Sequence, residues 1–230
     1  MTSATKAFAQ GAWDTLPLIV AAAPFGMVFG ALAIGAGLTP AQALGISLIV
    51  FAGSAQFIAA TLIGAGAWFP AIIATVFVVN LRHLLYATNL MPQVQHVAQR
   101  WRIPMAFWLT DETFATVSNR LKRDPDLPHF RSYYLGSAVA MYLLWQVNTV
   151  MGIWAGAQIP DIANWGLDVA MVVAFVGIVV PMLVDRATLA CASTAGIAML
   201  LTHDWPNQIG LFVSALVAIA VGVIVRERQS

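Results

Sequence analysis

The chain has 230 residues, 60% of them hydrophobic and 9% charged, with a net charge of +1 and a mean hydropathy of +0.81. So little polar surface cannot cover a soluble core, so composition excludes a soluble globular protein and makes a membrane the solvent. The eleven Lys and Arg are scattered and form no extended basic face, which argues against nucleic acid, and the length has room for about seven or eight spans but no separate catalytic domain.

Residues 1–14 read as a polar N-terminal tail. Apolar runs between punctuation then predict helices at Thr15–Ala36, Ala43–Ile63, Phe69–Met91, Ile103–Asn119, Tyr133–Ala157, Gly166–Val184, Thr188–Thr202 and Gln208–Val225. Lys6, Leu16 to Val20 and Ala21 to Ala23 loosely imitate a cleaved leader. The apolar run continues through Pro24 to Gly37, however, which suits a retained first span. The middle of that span reads PFGMVFG. Pro24 removes a backbone donor and Gly26 and Gly30 permit unwinding, so freed carbonyls and a half-helix N-terminus there would line a ligand cavity. The alternative is a kink with close packing, since membrane helices tolerate both residue types.

The second segment carries FAGSAQF, in which Ser54 and Gln56 interrupt the apolar run. Gln56 both donates and accepts, which suits either an amino-acid headgroup or an interhelical hydrogen bond. The third contains VFVVNLRHLLYATNLMP, with Arg82 deep inside a run long enough to span. A cation there costs at least ~2.5 kcal/mol and needs a partner, a hydrated cavity or a route to the headgroups. Asn80 and His83 lie three apart and share a face, and His83 is suited to shuttling a proton.

The fourth segment is short and carries LTDETF. Asp111 and Glu112 are acids well inside an apolar segment and are natural counter-charges for Arg82 or for a substrate ammonium; alternatively, Asp111 caps a half-helix beginning at Glu112. This segment and the still shorter Thr188–Thr202 are short enough to be re-entrant or broken helices, with a spanning fourth segment as the other reading.

Residues 120–132 form a basic linker between halves. With Arg186, Arg226 and Arg228 it predicts a cytoplasmic C-terminus, because QIPDIANW and HDWPN hold acids but no Lys or Arg. Eight spans put the N-terminus inside; a re-entrant fourth segment gives seven and puts it outside. Trp13, Trp68, Trp101, Trp165 and Trp205 fall beside segment ends, where indoles favour the headgroup level. Gly26-x-x-x-Gly30 followed by Gly53, and Gly152-x-x-x-Gly156 followed by Gly177, hint at two weakly related halves, as in many transporters.

The fold class expected is therefore an all-α integral membrane bundle of seven to eight transmembrane or re-entrant helices, some broken, forming one transporter domain over residues 1–230. Cys191 stands alone and reads as a small apolar residue. His83, His96, His129 and His203 lack metal-ligand spacing, so no metal and no cofactor is expected. Catalytic elbows, zinc-protease motifs and phosphate loops are missing from the sequence, so the chemistry expected is movement rather than reaction.

The ordered set PFGMVFG, FAGSAQF, NLRHLLYATNLMP, TDETFA and YYLG (Tyr133 to Gly136) resembles the AzlC-type branched-chain amino acid permease family, from about Leu16 to the C-terminal helix. The pair GSAQF and NLRH is its most specific part. The resemblance implies an inner-membrane exporter of valine, leucine, isoleucine or related hydrophobic amino acids, working with a small hydrophobic AzlD-like membrane subunit. Without an ATP site, export would be coupled to protons or another ion, or run downhill. Pro24, Gly26, Gly30, Ser54, Gln56, Asn80, Arg82, His83, Asp111 and Glu112 carry over as motif positions for substrate binding or coupling. Phe25, Phe51 and Phe57 are the expected apolar walls. The competing readings are a non-transporting membrane scaffold, whose polar residues only hold helices or a partner together, and an intramembrane enzyme, which the separated histidines disfavour.

Overall fold

The computed structural model describes residues 3–158, 183–205 and 209–228, with 176 and 180, and all regular structure among these is helical. In chain order the helices are α1 (Ala4–Gly35), α2 (Pro40–Ile49), α3 (Gly53–Gly64), α4 (Phe69–Asn80), α5 (Arg82–Val94), α6 (Gln99–Phe107), α7 (Asp111–Arg123), α8 (Phe130–Gln158), α9 (Arg186–Thr202) and α10 (Ile209–Glu227). Among the described residues, Ala4–Gly35, Phe69–Val94, Phe130–Gln158 and Ile209–Glu227 are long and apolar enough to cross a membrane. Leu85, Trp154 and Leu200 are 70%, 68% and 76% exposed; such side chains belong against lipid tails, not water. The all-α integral membrane fold expected from composition is the fold observed.

The described residues form two compact units: 3–65 with 76–158, and 66–75 with 176, 180, 183–205 and 209–228. The first is built on α1 and α8. A Cβ on Gly30 would overlap the Thr149 carbonyl, and one on Gly152 the Met27 carbonyl. Gly11 and Gly136 meet the carbonyls of Tyr133 and Phe8 in the same way, so the two backbones touch without intervening side chains. The register ascends together, from Phe8 beside Gly136 to Ala31 beside Gly156, so α1 and α8 run parallel. The start of α1 and the basic stretch ahead of α8 therefore lie at the same end of this unit. Thr15 Oγ1, buried in the seam, lies 2.8 Å from the Gly11 carbonyl and 2.6 Å from Ser137 Oγ.

Of the two readings of PFGMVFG, the structure takes close packing over an unwound ligand cavity. Pro24 does not unwind the first span: α1 is continuous through Pro17 and Pro24. Gly26 and Gly30 face the backbone of α8 and are closed to a ligand. The two GxxxG motifs are each other's contact surface. In addition α1 begins at Ala4, so the polar tail is helical and Trp13 stands within a helix instead of at its end.

The breaks fall elsewhere. The predicted Ala43–Ile63 helix is α2 and α3, separated by Val50 to Ala52. Phe69–Met91 is α4 and α5, parted at Leu81. Ile103–Asn119 is the broken helix the sequence allowed, α6 and α7, parted at Trp108 to Thr110. The cap of α7 is Thr110, not Asp111: its hydroxyl accepts from the Thr113 N–H at 3.4 Å, and Asp111 is the first helical residue. Asp111 and Glu112 occupy the first turn of α7 and Arg120, Lys122 and Arg123 its last, the polarity that the helix dipole favours. The basic linker thus begins as helix and leaves it at Asp124.

In the second unit α9 starts in a capping box of Asp185 and Thr188, with the Asp185 carboxylate accepting from the Thr188 N–H at 2.7 Å. Helices α9 and α10 pack through Gly210 on the Thr202 carbonyl and Gly222 on Cys191, and Thr202 and Ser214 hydroxyls meet at 3.0 Å. Cys191 is packing, as its isolation suggested. The predicted Gly166–Val184 segment, Trp165 and Gly177 lie wholly or mostly outside the described residues.

Candidate functional site

Each helix break presents polar atoms. The C-terminus of α2 ends with carbonyls that have no partner within the helix. Gln56 reaches back from α3 and donates to Val50 O at 2.7 Å and, more weakly, to Ser47 O at 3.5 Å. Helix α8 supplies the rest: Gln146 Nε2 donates to Ser47 O at 3.2 Å and Tyr142 OH to Leu48 O at 3.1 Å. The Gln56 oxygen accepts from Trp145 Nε1 at 3.1 Å, and the indole covers Gly53, where a Cβ would sit 3.1 Å from the ring. Gln56, fully buried, is therefore committed to protein at both ends of its amide. It braces a broken helix.

That brace positions Ser54. Its hydroxyl accepts from Arg82 Nη2 at 2.7 Å, while Arg82 Nη1 pairs with Asp111 Oδ2 at 2.8 Å. Arg82 thus stands at the N-terminus of α5 and bridges the first turns of α3 and α7. The expected counter-charge is Asp111, and the guanidinium turns inward instead of escaping along its stem. The side chains retain 23% and 34% exposure, so the pair is accessible from one side. Arg82 Nε, Asp111 Oδ1 and Asn80 Oδ1 are buried with no hydrogen-bond partner among the described residues. The pair is single-pronged and uses only part of its bonding capacity.

His83 follows directly. Its Nδ1 lies 3.0 Å from the Asn80 carbonyl, which can only accept, so Nδ1 carries the hydrogen and Nε2 is the acceptor of the neutral ring. The His83 ring meets Tyr86 edge-on at 5.7 Å, and Tyr86 stacks on Phe114 at 4.5 Å. The Tyr86 phenol also interacts with Asp111. Sequence reading missed Tyr86, although its place three residues after His83 on one helix face was the available signal. Glu112 lies beside Thr110 and the N–H groups that open α7. Of the expected apolar walls, Phe25 and Phe51 share a cluster with Trp108 and Trp145, while Phe57 packs on Phe29 at 6.0 Å. The structure thus gathers Ser54, Asn80, Arg82, His83, Asp111 and Glu112 around helix breaks, leaves Gly26 and Gly30 in the α1–α8 seam, and leaves Pro24 exposed on α1.

Lipid-facing helices that enclose paired charges at helix breaks define a polytopic membrane protein of the transporter type. The family described as AzlC protein matches residues 17–159, and the chain belongs to it. It is 30% identical over 153 residues to the inner membrane protein YgaZ of Escherichia coli K12, a match covering 65% of this chain and 61% of YgaZ. The chain thus spans about three fifths of that relative's length. It is 28% identical over 220 residues to an uncharacterized membrane protein of Archaeoglobus fulgidus, covering 93% of each chain. With an uncharacterized membrane protein of Helicobacter pylori 26695 it shares 34% identity over 114 residues, 49% of each. No solved structure matches the chain.

Proposed function

We propose that this AzlC-family protein is a secondary-active exporter of branched-chain and other small hydrophobic amino acids in a bacterial inner membrane, working with a small hydrophobic second subunit. The observation that carries the reading is the Arg82–Asp111 pair. Opening an ion pair away from water leaves two unpaired charges, which is strongly unfavourable. A zwitterion replaces both halves at once. Its carboxylate takes the guanidinium, where Nε adds a second donor, and its ammonium takes Asp111, where Oδ1 adds a second acceptor. Asn80 Oδ1 offers a further acceptor.

The neighbouring Phe25, Phe51 and Trp108 supply apolar wall for the side chain. Such walls discriminate by only about 1–3 kcal/mol per methylene, which fits a transporter that accepts valine, leucine and isoleucine together. His83 Nε2, Tyr86 and Glu112 would carry the coupling proton. The basic stretch before α8 favours the cytoplasmic side for that end of the unit, and the parallel course of α1 and α8 supports the same side for the start of α1.

The test is efflux. Cells loaded with a valine-containing dipeptide and expressing the chain with its small subunit should release valine faster than cells lacking either one. Unchanged release favours the scaffold reading, which the fully committed Gln56 also suits.

A further inference from the structure

A second cluster of charge lies at the other end of α7. Trp13, Asp14, Pro17 and Leu18 on α1 face Thr116, Arg120 and Arg123 on α7 across an open cavity of about 460 Å³, floored by Tyr133 of α8. That volume is in the range of small-molecule sites. Its charges are segregated. Asp14 Oδ2 accepts from Tyr133 OH at 2.7 Å on one wall. On the other, Arg120 lies 5.9 Å over the Tyr133 ring and only 3.8 Å from Asp124, a loose pair. Arg123 pairs with no carboxylate among the described residues. Arg120 Nε and the hydroxyl of buried Thr116 have no partner there either.

We infer that this cavity is a second binding site, for a free amino-acid zwitterion with an apolar side chain, at the end of the molecule where the cargo enters. The carboxylate docks on Arg120 and Arg123 with Thr116 as an additional donor. The ammonium docks on Asp14, and the side chain lies on Trp13, Pro17 and Leu18. A plain anion would be opposed by Asp14, and a plain cation by two arginines. The inference rests on the transport reading above, and it adds the step before the Arg82–Asp111 pair. Asp111 and Arg120 sit on one helix about 13 Å apart along its axis, so α7 joins the two sites.

Protection of an introduced thiol tests the inference. In the full-length Cys191→Ala, Asn119→Cys protein in nanodiscs, maleimide labelling should slow several-fold with L-leucine. Leucinol, lacking the carboxylate, and 4-methylpentanoate, lacking the ammonium, should not slow it. Asp14→Asn and Arg123→Gln should each raise the leucine concentration needed by roughly tenfold, the loss of about 1.4 kcal/mol of binding. Labelling that ignores leucine overturns the inference, and labelling slowed by phosphatidylethanolamine instead assigns the cavity to a lipid and overturns it too. Valine efflux from the unmodified protein is read in parallel. Efflux without protection removes this site and leaves the transport reading standing; protection without efflux does the reverse.

Discussion

At the scale of residues, the chain holds its interior polar groups in two ways. Gln56 is saturated: removing it strands the Trp145 N–H in a dry place and leaves the Val50 carbonyl with the Ala52 N–H alone. Gln56→Ala should therefore lower stability by about 1–3 kcal/mol, read as an earlier midpoint in thermal unfolding in detergent. Arg82 and Asp111 are half-used. Arg82→Gln or Asp111→Asn alone leaves a charge without its partner, whereas the double substitution leaves none. Each single change should cost about 1–3 kcal/mol, less than for a fully buried pair because both groups keep some exposure, and the double variant should recover part of that loss. Equal losses in singles and double would mean that the pair adds nothing as a pair. The need for an Arg82 partner was legible in the sequence, since few acids lie inside apolar segments. Its second contact, Ser54, was flagged only as a polar interruption, because nothing local says that residues 28 apart will touch.

At the scale of elements, the two longest helices among the described residues, α1 and α8, were legible from apolar length alone. The breaks were not. Pro24 looked like a breaker, yet α1 passes through it, and Gly26 and Gly30 hold that stretch against α8. Val50 looks like ordinary helix, yet the helix ends there because Gln56 and α8 satisfy its freed carbonyls with distant bonds, whereas at Leu81 the interruption is a single residue that keeps helical φ and ψ. Propensity reads neighbours along the chain; these causes lie across the bundle. The α1–α8 seam makes its own prediction. Gly152→Ala would drive a Cβ into the Met27 carbonyl, with an expected cost of about 1–3 kcal/mol and a lower midpoint in thermal unfolding. Gly45→Ala in α2, where open space meets a Cβ, should leave that midpoint unchanged or raise it, since alanine is the better helix former. Equal behaviour of the two variants would contradict the close crossing.

At the scale of the whole molecule, many outward side chains among the described residues are apolar, while Arg82 and Asp111 pair with each other and Arg120, Lys122 and Arg123 lie at a helix end. This is how a lipid-dissolved chain can carry a hydrated route for a polar cargo. The membrane class followed from composition, but the cavity at the C-terminal end of α7 could not be read from it, since Asp14 and Arg120 are far apart in sequence. The central claim is that cargo passes by exchanging with the Arg82–Asp111 pair. Valine efflux from dipeptide-loaded cells measures it most directly, comparing the parent with Asp111→Asn at matched membrane levels and with the small subunit present. The account predicts that efflux falls at least about tenfold, one lost charge-assisted contact. A folded, inserted Asp111→Asn protein that exports valine at the parental rate would contradict it.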